Sequence, residues 1–433
     1  MATIEEVSRS NRCFDLEAAA GSIAHLKLDL LTAGARLSNT VNVEARGARP
    51  VVRTRAGLAS GLELLLPGDL WVNVPVTEAF AARSPYVIAT DPPHGDHAVL
   101  VIRDERIVAR ATLAPRPNWY DAVTTTGRLM RRIATLQGSY LAVYVGNVCG
   151  FWAKDTEENC RFCSVGLNVG REDAAAKSDD EIVETAKAAR AESGITYVDL
   201  NAGHSENPAD YERVLGLAAR LKRETGLLIG VQTLPHRSFE YYDRLKAVGV
   251  NRVSFCFEVF DAVRFAEVCP GKARAYGHEH FLEAIRYCAA LGRDASPSAP
   301  WVVNGEMIAG LEPVASTIRG IDALVGWGAV PTVCTFRPLT GTALEEVEPP
   351  AAVDLSPVFE RLFEATAAAG LPIGMAPNVG VSIVMLPEEC EAFSKRSGLR
   401  LAFRLRRALG RLPVRWALSR AIRAAEKRAA SLD

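Results

Sequence analysis

The chain has 433 residues, of which 48% are hydrophobic and 23% are charged, and its formal net charge is −1. Basic and acidic residues are nearly equal in number. A general nucleic-acid-binding protein has a strong basic excess, so the composition argues against that class of protein. No apolar run approaches the ~18–20 residues of a membrane-spanning helix, and the N-terminus lacks the apolar block of a signal peptide. We therefore expect a cytoplasmic globular protein of two or three domains that binds no nucleic acid.

The first part of the chain favours β structure. Short apolar runs at 62–66, 71–76 and 97–113 are interrupted by Gly, Pro and Asp. The last run indicates two strands joined by a turn at Asp104 and Glu105. We predict a β-rich N-terminal domain over residues 1–130, and a short helix over 126–137 that leads into the next domain.

Residues 131–387 alternate between strand-like and helical patterns. The predicted strands lie at 140–148, 196–201, 227–233, 252–258, 301–308 and 331–336, and the predicted helices at 179–193, 209–225, 239–249, 277–292 and 315–328. Strands separated by helices indicate parallel βαβ units, either as an open sheet or as a β/α barrel. In a barrel, functional residues gather at the carboxyl ends of the strands.

Nine cysteines are present, and their odd number, together with the missing secretory signal, argues against a disulfide framework. Cys149, Cys160 and Cys163 form a C-x10-C-x2-C pattern directly after the first barrel strand. Thiolates suit iron–sulfur clusters or zinc. A structural zinc site needs four protein ligands, and no fourth Cys or His follows within the loop. A zinc-stabilised β/α binding protein is therefore the alternative to a cluster-bearing enzyme.

The CRFC segment at 160–163 resembles the Cys-x-aromatic-Cys end of the motif of the radical S-adenosylmethionine (radical SAM) superfamily, which also follows the first barrel strand. The resemblance implies an α/β fold with a partial (β/α)6 TIM-type barrel. It implies that Cys149, Cys160 and Cys163 hold a [4Fe–4S] cluster, and that Phe162 lies beside the adenine of S-adenosylmethionine. The usual family spacing is C-x3-C-x2-C, so the longer gap marks a divergent branch.

Two further segments resemble cofactor-binding parts of the superfamily. Residues 199–208 stand where the family carries a Gly-Gly-Glu segment for the methionine amine, which implies a cofactor-binding segment that includes Asn201, Gly203 and His204. Because Ala202-Gly203-His204 replaces the family's motif here, the amine contact is expected from Asn201, His204 or Glu206. His204 equally suits a packed loop position. Residues 253–261 resemble the fourth-strand segment, which places Glu258 at the ribose or the methionine moiety.

The last two barrel strands carry similar segments. Residues 307–313 resemble the fifth-strand Gly-x-x-Glu segment that passes the adenine, which implies that Gly310 and Glu312 bind the cofactor. Glu312 also suits the cap of the following helix. Residues 335–342 resemble the sixth-strand end of the biotin-synthase-like branch. Arg337 there is suited to clamp a carboxylate, with a surface ion pair as the alternative.

The resemblance implies a reaction but no particular substrate or catalytic residue. Reduced cluster cleaves S-adenosylmethionine to methionine and a 5′-deoxyadenosyl radical, which abstracts hydrogen from a small molecule; a flavodoxin- or ferredoxin-type protein donates the electron. Sulfur insertion and aminocarboxypropyl transfer stay open as alternatives. Substrate contacts are expected near the strand ends, with the candidates Gln232, His236, Asn304, Glu306 and Asn378.

The region 388–433 is a basic tail. From Lys395 onward it holds twelve Lys or Arg residues and two acidic residues, interleaved with leucines. We predict one or two amphipathic helices that break near Gly410 and Pro413. Such a tail packs on the barrel with a solvated basic face, or else it docks on a membrane surface or an acidic partner.

Overall fold

A computed structural model describes residues 20–53, 60–154, 157–296 and 298–431 of the chain. Cys13 and the first part of the predicted N-terminal domain lie outside these ranges. The described residues form two β-sheets and twelve α-helices. The predicted limits of the three domains at 130 and 387 stay predictions.

The first sheet belongs to the N-terminal region. Its strands are β1 (Arg36–Leu37), β2 (Val52–Arg53), β3 (Ser60–Leu66), β4 (Leu70–Val74), β5 (Tyr86–Thr90), β6 (Ala98–Arg103) and β7 (Arg106–Leu113). They run in the order β1-β5-β6-β7-β3-β2, with β4 paired to β3. The predicted hairpin is present, because β6 and β7 pair antiparallel across Asp104 and Glu105, whose φ angles are 49° and 61°. Two positive φ values suit a two-residue hairpin turn.

The second sheet holds six parallel strands with an antiparallel strand at each edge. Its strands, in spatial as well as chain order, are β8 (Thr135–Gln137), β9 (Tyr140–Tyr144), β10 (Tyr197–Asn201), β11 (Leu228–Gln232), β12 (Arg252–Glu258), β13 (Val302–Ala309), β14 (Val330–Thr335) and β15 (Val384–Met385). All six predicted barrel strands are present as β9–β14. The helix predicted over 126–137 is wrong: after a 3-10 turn at Met130–Arg132, β8 reverses at Gly138 and pairs with β9.

Helices connect the parallel strands. The helices of the described chain are α1 (Ala20–Ala33), α2 (Gly150–Lys154), α3 (Val165–Asn168), α4 (Asp179–Ser193), α5 (Pro208–Thr225), α6 (Glu240–Ala247), α7 (Ala262–Val268), α8 (Pro270–Ala275), α9 (His278–Leu291), α10 (Val314–Trp327), α11 (Ala352–Ala368) and α12 (Ser397–Ala430). Local signals set several of these limits. For example, Ser178 and Glu181 form a capping box at the start of α4, and Gly194 ends it in the left-handed conformation.

The second sheet curves around an internal cavity. Side chains from all six parallel strands line one cavity of about 400 Å³, among them Tyr140, Leu228 and Thr332. Residues of α12, Gly410 and Val414, line the same cavity. A flat sheet would not direct residues of all its strands into one space, so the expected partial (β/α)6 barrel is confirmed.

The two sheets meet beside the barrel. The backbone N–H of Asn73 on β4 donates to the carbonyl of Ser382 at 2.8 Å. The Glu63 carboxylate on β3 accepts from the backbone N–H of Gly138 at 2.9 Å. Side chains and backbone of the first sheet therefore reach both edge segments of the barrel sheet.

The tail forms one continuous helix, α12, so the predicted break near Gly410 and Pro413 is wrong. A proline inside a helix removes one backbone hydrogen bond, and packing on the barrel offsets that loss. Gly410 fits because an added Cβ would lie 2.7 Å from the Met375 sulfur, and Val414 and Leu418 are buried. Among the helices of the described ranges, none combines the length and apolar composition that crossing a bilayer requires.

A buried ion pair joins α1 to the chain just before α12. The fully buried Lys27 donates to the Glu389 carboxylate at 2.6 Å and to the Val381 carbonyl at 3.1 Å. We expect Lys27→Met to lower the free energy of unfolding by about 3–5 kcal/mol, because the buried carboxylate loses its partner. Urea denaturation measures the change. The exposed Arg83–Glu348 pair, at 2.5 Å, provides the control: Arg83→Met should cost about 0–1 kcal/mol, and an equal loss in both variants would contradict the prediction.

Candidate functional site

The cysteine loop follows β9 at the carboxyl edge of the barrel sheet. Cys149 precedes α2, and Cys160 and Cys163 precede α3; all three side chains are half-buried. Burial raises the pKa of the Cys163 thiol, and the neighbouring Cys160 and Cys149 raise it further. Cys149 and Cys163 both pack on the small apolar cluster around Tyr144, and the backbone N–H of Cys163 donates to the Cys160 carbonyl at 3.1 Å, so the three residues lie close together. Within the described ranges, no three His, Cys, Asp or Glu side chains converge on a single ion position.

The turn between α7 and α8 packs on this loop and brings a fourth thiol. The fully buried Cys269 thiol donates to Cys160 and, together with the Lys272 ammonium, holds the pKa of Cys160 below its usual value despite burial. Gly271 permits the close approach: its N–H donates to the Glu158 carbonyl at 3.2 Å, and an added Cβ would lie 2.5 Å from that oxygen. Cys269 and Lys272 were not predicted as site residues. The only local signal in the CPGK segment that contains both is its proline, which occupies the first position of α8.

Lys272 and Glu258 form a buried ion pair beside the thiols. The Lys272 ammonium donates to the Glu258 carboxylate at 2.5 Å and to the Cys256 carbonyl at 2.8 Å, and both charged residues are under 10% exposed. The sheet register shifts between Cys256 and Glu258, and the φ of Glu258 is 69°. A positive φ at a residue other than glycine stores backbone strain, which is common at functional sites. Glu258, expected to meet the cofactor, thus has a protein partner.

The segment after β10 lies directly against Cys149. The backbone N–H of His204 donates to the Cys149 sulfur at 3.3 Å, and that of Gly203 donates to the Tyr144 hydroxyl at 3.1 Å. A Cβ at position 203 would lie 2.6 Å from the Cys149 Cβ, so only glycine fits there. Hydrogen bonds to sulfur stabilise a thiolate and tune an iron–sulfur cluster.

The predicted residues His204, Asn201 and Phe162 are all near the loop. The His204 ring stacks on Phe151, with centroids 4.2 Å apart, and its Nδ1 lies 2.9 Å from the Tyr276 hydroxyl. This is the packed position that the sequence left open. Asn201 lines the barrel cavity, and Phe162 is buried in the main core. Their contacts with a cofactor stay predictions.

Glu312 and Gly310 occupy the turn after β13. The Glu312 carboxylate accepts from the backbone N–H groups of Phe260 and Asp261 at 3.0 and 2.9 Å and from the Thr317 hydroxyl at 3.1 Å. It therefore bonds the backbone that leads into α7 and a side chain of α10. Gly310 adopts a φ of 101°, which suits glycine. Neither observation tests the predicted role of these residues toward the adenine.

Arg337 follows β14 and is buried, so the alternative of a surface ion pair is wrong. Its side chain donates through Nη1 to the Asn73 Oδ1 of the first sheet at 3.2 Å. The Nη2 atom is buried and has no hydrogen-bond partner within the described part of the chain. Burial lowers the pKa of Arg337 to about 10, and Cys334 and Glu78 oppose this. A buried guanidinium with spare N–H donors suits an anionic ligand.

A polar network lies deeper in the barrel. Arg252 donates to Asp199 at 3.1 Å and to Glu306 at 2.6 Å, and Gln232 donates to Glu306 at 3.1 Å. Of the predicted substrate contacts, Gln232, Glu306 and Asn304 line the cavity. The other two lie elsewhere: His236 stacks on Tyr241, and the Asn378 side chain donates to the Gly194 carbonyl at 3.0 Å.

Comparison with known proteins points to one family. Residues 157–318 match the model of the Radical SAM superfamily. Over 124 residues the chain is 26% identical to a bacteriochlorophyllide c C-7(1)-hydroxylase of Chlorobaculum limnaeum; this stretch covers 29% of this chain and 30% of that protein. The chain thus matches less than a third of that relative's length.

Solved structures show weaker likeness. Methylornithine synthase is 20% identical with a TM-score of 0.41, and the match covers 52% of this chain and 62% of that one. Coproporphyrinogen III oxidase from Escherichia coli is 16% identical with a TM-score of 0.31, and 41% of each chain is covered. Scores this low carry no conclusion about this protein.

The family match begins just before Cys160 and ends inside α10, so it covers four of the six parallel strands, β10–β13, but not Cys149. Superfamily members use a [4Fe–4S] cluster and S-adenosylmethionine. The thiol-bearing loop at the carboxyl edge of a partial β/α barrel agrees with that chemistry. The stretch 157–318 therefore resembles the radical SAM superfamily of enzymes.

Proposed function

We propose that Cys149, Cys160 and Cys163 hold the [4Fe–4S] cluster and that the enzyme acts on a small molecule in the barrel lumen. The observation that carries this proposal is the proximity of the three cysteines at the strand edge, where Cys149 and Cys163 pack on one apolar cluster and the Cys163 backbone bonds to Cys160. Each thiolate of such a cluster binds a different iron, which leaves the fourth iron for a ligand from outside the protein. When bound, the cluster and S-adenosylmethionine supply a 5′-deoxyadenosyl radical that abstracts a substrate hydrogen atom.

The surroundings of the thiols support this assignment. The buried Lys272 ammonium places positive charge near thiols that must become thiolates. The His204 N–H donates to the Cys149 sulfur and favours its thiolate form. An electron donor of the flavodoxin or ferredoxin type would deliver its electron at this edge of the barrel.

The lumen supplies the substrate cavity. Its volume of about 400 Å³ lies in the range of small-molecule sites. Arg252, Asp199 and Glu306 form a polar layer across the lumen, whereas Tyr140 and Val414 line its apolar base. Polar groups fixed in an otherwise apolar cavity orient a ligand and exclude water from the reacting atoms.

We further propose that Arg337 binds the carboxylate of S-adenosylmethionine. Its side chain is buried at a strand's carboxyl end, and its Nη2 atom lacks a partner among the described residues. Guanidinium groups bind carboxylates through two parallel hydrogen bonds, which fixes orientation as well as position. The Asn73 side chain holds Nη1 and so leaves Nη2 for the ligand.

Product analysis tests the reaction class. Anaerobic enzyme incubated with S-adenosylmethionine and a reductant is expected to release 5′-deoxyadenosine, measured by liquid chromatography with mass detection. Release of methylthioadenosine instead would indicate aminocarboxypropyl transfer. An iron content of about four per chain is expected for one cluster; a larger content would support sulfur insertion through a second cluster. A colourless protein with one zinc would contradict the proposal.

The cysteine assignment predicts a contrast between neighbouring thiols. We expect each single Cys→Ala change at 149, 160 or 163 to abolish the brown colour and most of the bound iron after anaerobic reconstitution, because a cluster iron loses its ligand. Cys269→Ala is the matched control, since this thiol bonds Cys160 but lies outside the trio. It should retain about four irons per chain. Loss of iron in the control, or retention in Cys149→Ala, would contradict the assignment.

The role of Arg337 predicts a loss of affinity. Arg337→Met should weaken binding of S-adenosylmethionine by about tenfold or more, because a hydrogen bond to a charged group contributes about 1.5–3 kcal/mol. Equilibrium dialysis on reconstituted enzyme measures the dissociation constant. The affinity of Arg337→Lys should lie between those of the wild type and Arg337→Met, since lysine keeps the charge but not the planar guanidinium group. Unchanged affinity in the methionine variant, with unchanged thermal unfolding, would rule out this role.

A further inference from the structure

An exposed row of large apolar side chains runs along α12. Leu401, Leu405, Leu409, Leu412 and Trp416 follow one another at intervals of four, four, three and four residues, which places them on one face of a helix. We call them the apolar stripe. Leu409 is 72% exposed and Trp416 is 61% exposed. In the described chain, every leucine and tryptophan among the exposed large hydrophobic residues belongs to this stripe.

The stripe has no role in holding the helix to the barrel. The buried residues of α12 are Phe403, Val414, Leu418 and Ala425. At 3.6 residues per turn they lie about half a turn around the helix from the stripe. The helix is therefore anchored by one apolar face and presents a second one outward.

Arginines border the stripe on both sides. Arg404, Arg411 and Arg415 follow one edge of it, and Arg406 and Arg420 follow the other, by their helical spacing. The Arg420 guanidinium lies over the Trp416 ring, 5.5 Å from its centroid. The segment from Lys395 to Asp433 contains twelve basic residues and two acidic residues. Glu391 pairs with Arg400 and Arg404 and offsets part of this charge. The surface around the stripe keeps a net positive charge, although the chain as a whole is neutral within one charge.

An apolar stripe with arginines on both sides suits one kind of binding partner. A second copy of the chain would bring two arginine-rich borders together, and like charges at an interface repel. An anionic lipid surface matches both features, because apolar side chains enter the boundary between headgroups and acyl chains while arginines meet the phosphates. We propose that α12 docks the protein on an anionic membrane surface through the apolar stripe.

The docked orientation brings the lumen near the lipid. Gly410 and Val414 line the base of the barrel cavity from the inner side of α12. An α-helix with its side chains is ~10–12 Å across. The base of the cavity would therefore lie about one helix diameter from the membrane, and the cysteine loop would face away from it at the opposite end of the strands.

Vesicle sedimentation with the full-length protein tests the proposal. The protein should sediment with vesicles of mixed phosphatidylcholine and phosphatidylglycerol but not with phosphatidylcholine alone, and added salt should weaken the binding. A triple variant with Leu405, Leu409 and Trp416 changed to Ser should lose the binding. Arg415→Gln and Arg420→Gln should each weaken it about fivefold. Val353→Ser removes an equally exposed apolar residue of α11, 74% exposed, and should change nothing.

Three results would overturn the proposal. One is the absence of sedimentation with anionic vesicles. Another is binding that survives the triple Ser variant, which would make the attraction purely electrostatic. The third is a dimer, detected by light scattering, that the triple variant converts to monomer, which would identify a second copy as the occupant. Because the stripe is exposed, the variants should keep the wild-type melting temperature and iron content, and this excludes misfolding as the cause of any loss.

Discussion

The ammonium of Lys272 is buried against the carboxyl edge of the barrel, where it joins Glu258 on β12 to the turn that carries Cys269. A buried ion pair is stable only where its geometry offsets the cost of desolvation. Burial lowers the pKa of the Lys272 ammonium. The Glu258 carboxylate and the nearby thiols raise it, and the net pKa lies well above the usual value of a lysine. The strained φ of Glu258 and the shifted register of β12 bring the carboxylate to that position.

The cysteine loop takes its shape from contacts with two other strand ends. Gly271 fits under the Glu158 carbonyl, and Gly203 fits under the Cys149 side chain. At both places a Cβ would collide with backbone or with a cysteine. The loop is therefore held between the segments that follow β10 and β12, since its own helices, α2 and α3, have only five and four residues. Rigid neighbours make it possible for a long, polar loop to present thiols in a defined arrangement.

Much of the fold was predictable because its signals are local. Apolar periodicity located the six parallel strands and the helices between them, and capping residues set several limits. The two wrong predictions concern segments whose structure depends on distant partners. Residues 126–137 contain a strand because β9 is available for pairing. The tail stays helical through Pro413 because the barrel packs against it and compensates for one missing hydrogen bond.

The site was predictable only in part, for the same reason. Spacing singled out the three cysteines as candidates, but Cys269 lies more than a hundred residues beyond Cys160, and nothing in the sequence pairs them. The protein partners of Glu258 and Glu312 were equally invisible, since each lies on another element. No sequence pattern indicated that a residue of the first sheet would reach Arg337.

That last contact has a thermodynamic consequence. Asn73 and Arg337 join two sheets that are also bonded to each other at Ser382 and at Gly138. A ligand that engages Arg337 acts on a side chain already shared with β4, so its binding and the seating of the first sheet on the barrel are linked equilibria. Such linkage is reciprocal: whatever the ligand contributes to the seating, the seating contributes equally to the ligand's affinity. With Arg337 as the proposed ligand contact, the N-terminal sheet would take part in ligand binding as well as covering the barrel.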